Sequence, residues 1–123
     1  MQMQIRALWQ LARFEYYFAR GDFAQVYRTV KEFPCSKVCS PLEMAGSICE
    51  VLDQVVIWYP KRVLCLHRSA ASTCLLRQYG IPARMILGAQ SLPFKAHAWV
   101  EVSGRVVNDK LYMNEMYAVL YCC

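Results

Sequence analysis

A thiol, an imidazole and a carboxylate follow one another through the second half of this chain: Cys65, His97 and Asp109. Side chains of these three kinds can carry out acyl transfer, the thiolate as nucleophile, the imidazole as proton carrier and the carboxylate as the group that orients the ring. Cys65 opens an apolar segment with the pattern of a helix, closed by Gly80 and then Pro82, both helix-stop signals. A thiol in the first turn of a helix lies where the aligned amide dipoles favour thiolate.

His97 stands in Ala96-His97-Ala98-Trp99-Val100-Glu101-Val102, which alternates as a strand does, and Asp109 ends a second strand-like run, Arg105-Val106-Val107-Asn108-Asp109. Ser103-Gly104 marks a turn between them. A two-residue loop would pair Val102 with Arg105 and put His97 and Asp109 on opposite faces. A three-residue loop, Val102-Ser103-Gly104 with Gly104 left-handed, instead pairs Glu101 with Arg105, Trp99 with Val107 and His97 with Asp109. The second register sets opposite charges across from each other and an aromatic against a β-branched residue. Directly opposed Cβ atoms lie roughly 4.5–5.5 Å apart, so it is the register expected here. Ala98, Val100, Val106 and Asn108 then occupy the other face.

Each residue also has a plainer reading. A cysteine on an apolar helix is ordinarily a small buried hydrophobe, and a strand histidine is ordinarily structural. Their conjunction is what points to chemistry. The other histidine, His67, follows Cys65 by two positions on the same helix, where side chains do not face each other; if the chain uses a base at all, elimination leaves His97.

The same residues carry a resemblance. The stretch from Cys65 to Asp109, with Gly80-Ile81-Pro82-Ala83-Arg84, Ala96-His97-Ala98-Trp99-Val100-Glu101 and Gly104-Arg105-Val106-Val107-Asn108-Asp109, resembles the protease domain of lasso peptide maturation, within the transglutaminase-like cysteine protease superfamily. The resemblance is detailed over the last half of the chain and one of helical character over the first. It implies an α+β, papain-like fold with amino-terminal helices, a catalytic helix and a small antiparallel sheet. It also implies a Cys-His-Asp triad of Cys65, His97 and Asp109, with no cofactor, that cuts the leader peptide from a ribosomally made precursor. The partners it implies are that leader, a separate small PqqD-like leader-recognition protein and a lasso cyclase.

Length and composition bound the rest. With 123 residues, one domain is expected, 1–58 helical and 59–123 the catalytic helix plus sheet. Hydrophobic residues make up 57% of the chain, which predicts an apolar surface of the sort that meets a partner. No apolar run approaches the ~18–20 residues of a spanning helix. The start, Met1-Gln2-Met3-Gln4-Ile5-Arg6, lacks the features of a signal peptide, so a cytoplasmic location is expected. Seven cysteines, an odd number without a secretory signal, argue for reduced thiols rather than a disulfide framework. Cys35 and Cys39 have a spacing zinc could use but lack a second pair at a fitting distance. The net charge of +5 is spread along the chain, which does not indicate nucleic-acid binding and suits an acidic leader.

Three helices are expected before Cys65: Ala7 to Arg20, stopped by Gly21; one capped by Asp22 and running to about Phe33, ended by Pro34; and one entered through Ser40-Pro41 with Glu43 in its first turn, running to about Trp58. Phe14 to Phe18 reads as core rather than as a docking face. Ala83 to Gln90 reads as a strand, and the tail from Leu111 to Tyr121 as a last strand or a partner-binding segment. Three rival readings remain: a transglutaminase-like acyl transferase in which an amine replaces water, a non-catalytic peptide-binding module of the same fold, and a purely structural domain.

Overall fold

A computed structural model describes residues 2–37, 41–91, 94–109 and 116–123. The order is α1 (Gln2–Ala19), α2 (Phe23–Glu32), α3 (Met44–Trp58), α4 (Cys65–Gln78), β1 (Ala83–Ser91), β2 (Phe94–Val102), β3 (Arg105–Val106) and β4 (Ala118–Cys122). This is the expected α+β arrangement of helices followed by a small antiparallel sheet, in the order β3-β2-β1-β4.

The chain enters and leaves its helices by local chemistry. Gly21 takes the left-handed conformation (φ 69°) that ends α1, and the Asp22 carboxylate then accepts from Gln25 N at 3.1 Å to cap α2. α3 starts later than Ser40-Pro41 suggests. Met44 N donates to Pro41 O and Ala45 N to Leu42 O, so residues 41–43 form a turn, with Glu43 at the cap. Ser40 itself lies outside the described residues, as does Cys39.

α4 is the central element. Ten of its residues are buried, from His67 to Arg77, because α1, α2 and α3 pack on it from one side and β1 and β2 from the other. A helix covered on nearly all sides has no polar face to show, which is why its sequence is not amphipathic. Leu11, Phe14, Ile48, Leu52, Leu75, Leu76, Ile81, Met85 and Val100 are fully buried around it, each stabilising the fold by roughly 1.5–3 kcal/mol through burial. Phe14 is therefore core as expected, while Tyr16 of the same aromatic run is exposed.

The hairpin that carries His97 departs from the expected register. Val102 pairs with Arg105 and Glu101 with Val106, so the loop is the two-residue Ser103-Gly104, with both residues at positive φ (53° and 78°), a primed turn that matches strand twist. Val106 consequently packs with Trp99 and Ile86, on the face opposite to the one expected. The reason lies in burial. An exposed Glu101–Arg105 pair is worth at most about 1 kcal/mol, whereas a buried indole N–H without a partner costs about 1–3 kcal/mol. Glu101, itself buried, accepts from Trp99 Nε1 at 2.9 Å.

The tail closes the other side of the sheet. β4 pairs with β1 across a register shift between Leu87 and Gly88; residues 110–115 before it are outside the described set. Among the described residues no helix is long and apolar enough to cross a membrane.

Candidate active site

The strand after the Ser103-Gly104 turn lasts only two residues, and the way it ends builds the site. Val107 N still donates to Val100 O at 3.0 Å, but Val100 N donates to the side chain of Asn108, Oδ1 at 2.7 Å, instead of to a strand carbonyl. Asn108 Nδ2 donates in turn to Ser69 Oγ on α4 (3.2 Å), and Ser69 Oγ donates to Ala98 O (3.1 Å). Val107 packs into the core beside α4 and Asn108 bonds to the same helix, so two successive side chains point one way. That is the signature of a bulge, and it returns Asp109 to the face of His97. His97 Nε2 and Asp109 Oδ2 are 2.6 Å apart. The two residues meet as expected, through this bend rather than as a paired rung of a ladder.

An ionised carboxylate only accepts. In the neutral ring the proton must therefore be on Nε2, which leaves the lone pair on Nδ1. The ring is held between neighbours: Tyr117 stacks on it with centroids 5.6 Å apart, and Trp99 lies parallel at 6.4 Å. Gly88 underlies this packing. A Cβ at that position would lie 2.6 Å from the Trp99 ring and 2.8 Å from Tyr117, so β1 can run beneath the stack only with a glycine there.

Cys65 is the first residue of α4, partly exposed, after Leu64 in extended conformation (φ −88°, ψ 171°). Leu64 offers no side-chain cap and the first turn contains no acid, so the leading amides remain free and their partial positive charge is not neutralised. Among the described residues no hydrogen bond joins Cys65 to His97. The link between them is Arg68, one turn along α4 on the same face as Cys65. Its guanidinium donates to Asn108 O at 3.2 Å and lies 3.8 Å from Asp109 Oδ2 and 3.6 Å from Asp53 Oδ1. Burial raises the Asp53 carboxyl above its ordinary range, against the pull of Arg68, and Glu50 and Asp109 raise it further.

The other candidates occupy structural places. His67 is buried, with Nε2 2.7 Å from Leu11 O and its ring against Phe18 and Tyr59; burial lowers its pKa, with Leu11 O and Glu15 opposing. Burial also pushes the Cys49 and Cys74 thiols up to about 12 and Cys123 up to about 11, which suppresses thiolate at each. Arg68, Asn108, Tyr117 and Gly88 are the site residues that sequence reasoning did not single out. Helical spacing from Cys65 could have indicated Arg68. Asn108 and Tyr117 depend on a bulge and a strand crossing that leave no local pattern.

The chain belongs to the transglutaminase-like superfamily, whose model matches residues 7–122. Within the curated proteins it is similar to the microcin J25-processing protein McjB of Escherichia coli, 38% identical over 56 residues, a stretch that covers 46% of this chain and 27% of that relative's length. No solved structure matches the chain.

Proposed function

We propose that this protein is a cysteine peptidase that removes the leader from a ribosomally made lasso peptide precursor, with Cys65 as nucleophile, His97 as base and acid, and Asp109 as the orienting carboxylate. The observation that carries the reading is the 2.6 Å His97–Asp109 contact, tied through Arg68 to the helix that Cys65 opens. The similarity to a protein named for processing a microcin supplies the substrate class.

In this mechanism His97 Nδ1 takes the thiol proton and Cys65 Sγ bonds to the scissile carbonyl carbon. The negative oxygen that forms faces the uncapped amides at the start of α4. The C–N bond then breaks, and the leaving amine takes the proton from Nδ1. Water repeats the sequence: it gives a proton to Nδ1 and its oxygen bonds to the thioester carbon, then the C–S bond breaks and the thiol is restored. The net reaction consumes one water per peptide bond. Asp109 stabilises the imidazolium throughout, and Arg68 is a positioning residue that holds Asp109 to α4. A PqqD-like recognition protein would deliver the leader, and a lasso cyclase would take the freed core.

The test is mass spectrometry of a precursor encoded in the same gene cluster after incubation with the protein and the recognition partner. Two fragments whose masses sum to precursor plus one water are expected from the natural chain and none from Cys65→Ala. Retained cleavage by Cys65→Ala removes Cys65 from the mechanism, and a product joined to an added amine identifies acyl transfer instead.

A further inference from the structure

Leu64 and Leu66, the residues on either side of Cys65, both line a cleft of about 450 Å³ between the start of α4 and the junction of α1 with α2. Phe18 and Phe23 form the opposite wall, their rings edge to face at 5.6 Å, and the buried His67 closes the floor. Phe23 and Leu64 remain more than half exposed although both are large and apolar, so the walls are left for something to cover. The mouth is cationic. Lys61 is neutralised by Glu15 at 3.8 Å, while Arg62 forms no ion pair among the described residues.

We infer that this cleft is a specificity subsite, and that it takes a large apolar side chain of the substrate peptide, within three residues of the cut bond, with an acidic group beside it at Arg62. The inference rests on Cys65 being the nucleophile of the proposed peptidase. An extended peptide advances about 3.3 Å per residue. Cys65 does not itself line the cleft, but a chain whose carbonyl lies against Cys65 can reach it within about one or two residues, past Leu64 or Leu66. Burial supplies the affinity, and the unpaired guanidinium at the rim supplies a preference for acidic neighbours. The composition of the cleft explains why the link before Cys65 carries Lys61-Arg62 on one side and Leu64 on the other: charge at the mouth, apolar surface within.

A probe that needs no cleavage keeps this separate from the peptidase reading. Iodoacetamide carrying a naphthalenesulfonate, apolar and anionic, is compared with plain iodoacetamide by measuring alkylation of each cysteine in the intact protein. The exposed Cys35 and Cys122 serve as internal references. The aromatic anionic reagent is expected to be favoured at Cys65 over those references by about tenfold or more, from burial of one ring system. Phe23→Ser and Arg62→Glu, both at exposed positions, should each lose most of that preference, read as the ratio of the two reagents' rates at Cys65 so that a change in the thiol's own reactivity cancels. Equal preference at all three cysteines, or preference untouched by both substitutions, overturns the subsite. In peptides spanning the cut site, replacement of one large apolar residue by Ser should raise KM for the natural protein and not for Phe23→Ser. Cleavage by Cys65→Ala would overturn the peptidase reading while leaving the labelling result to stand.

Discussion

The two ends of α4 are built to different rules. At its C-terminal end the carbonyls of Leu76 and Arg77 are taken up by the chain that follows. Gly80 N donates to Arg77 O and Ile81 N to Leu76 O, both at 3.0 Å, with Gly80 left-handed (φ 79°): the Schellman closure, with Ile81 sealed into the core. Arg77 adds a lock there. Its buried guanidinium donates to Val30 O, to Phe33 O at 3.2 Å, to Ala83 O at 2.9 Å and to Cys123 O at 2.7 Å, joining α2, β1 and the chain end. At the N-terminal end there is no cap, an exposed leucine, a partly exposed thiol and an open cleft. One end commits its polar groups to stability, and the other leaves its own uncapped, as the proposed mechanism requires.

Arg77→Met should have the largest effect, because it strands the carbonyls that a charged donor now satisfies. A loss of about 3 kcal/mol or more is expected, read as a drop in the midpoint of denaturant unfolding. A loss below 1 kcal/mol would mean that water replaces the lock and that the two ends differ less than stated. Gly88→Ala comes next. It drives a methyl into the Trp99 and Tyr117 rings that hold His97, and overpacking of this kind costs about 1–3 kcal/mol. Cleavage should fall more than the folded fraction does, since the stack on His97 shifts even in molecules that fold.

Leu64→Ser should have the opposite sign. A hydroxyl at the cap position can bond a free amide, raising stability by about 1 kcal/mol, while competing for the amides that the proposed mechanism assigns to the oxyanion. A higher melting temperature with slower cleavage supports the division of labour, and a lower melting temperature contradicts it. The smallest effect concerns His67. Burial lowers its pKa from the ordinary 6.5, so the folded state favours the neutral ring. This contribution is fully present above that value and is lost as pH falls through it toward the lower folded pKa. The melting temperature of the natural chain should therefore decline more between about pH 7 and about pH 5 than that of His67→Gln, which keeps a donor for Leu11 O without a titrating ring.

What could be read in the sequence divides along similar lines. Cys65 at a helix start, the Gly80 stop, the Asp22 cap and the helical first half are legible because each depends on neighbours within a turn or two. The encounter of His97 with Asp109 was legible as an outcome but not as a route. Its route depends on Asn108 substituting its side chain for a strand carbonyl at Val100, and on the buried Trp99 indole claiming Glu101. Both are partnerships set by burial, which alternation along a strand does not reveal. Arg68 was hidden for a similar reason, since its partners Asp53 and Asp109 come from distant parts of the chain.

The central claim is that His97, held by Asp109, activates Cys65 at the open end of α4, and it can be tested without a substrate. The measurement is the rate of alkylation of Cys65 by iodoacetamide at neutral pH, relative to the exposed Cys35 and Cys122 in the same molecule, for the natural chain and for His97→Gln. Cys65 should react fastest in the natural chain and lose that advantage in His97→Gln. A Cys65 no faster than the two exposed thiols, or one indifferent to the loss of His97, would contradict the account.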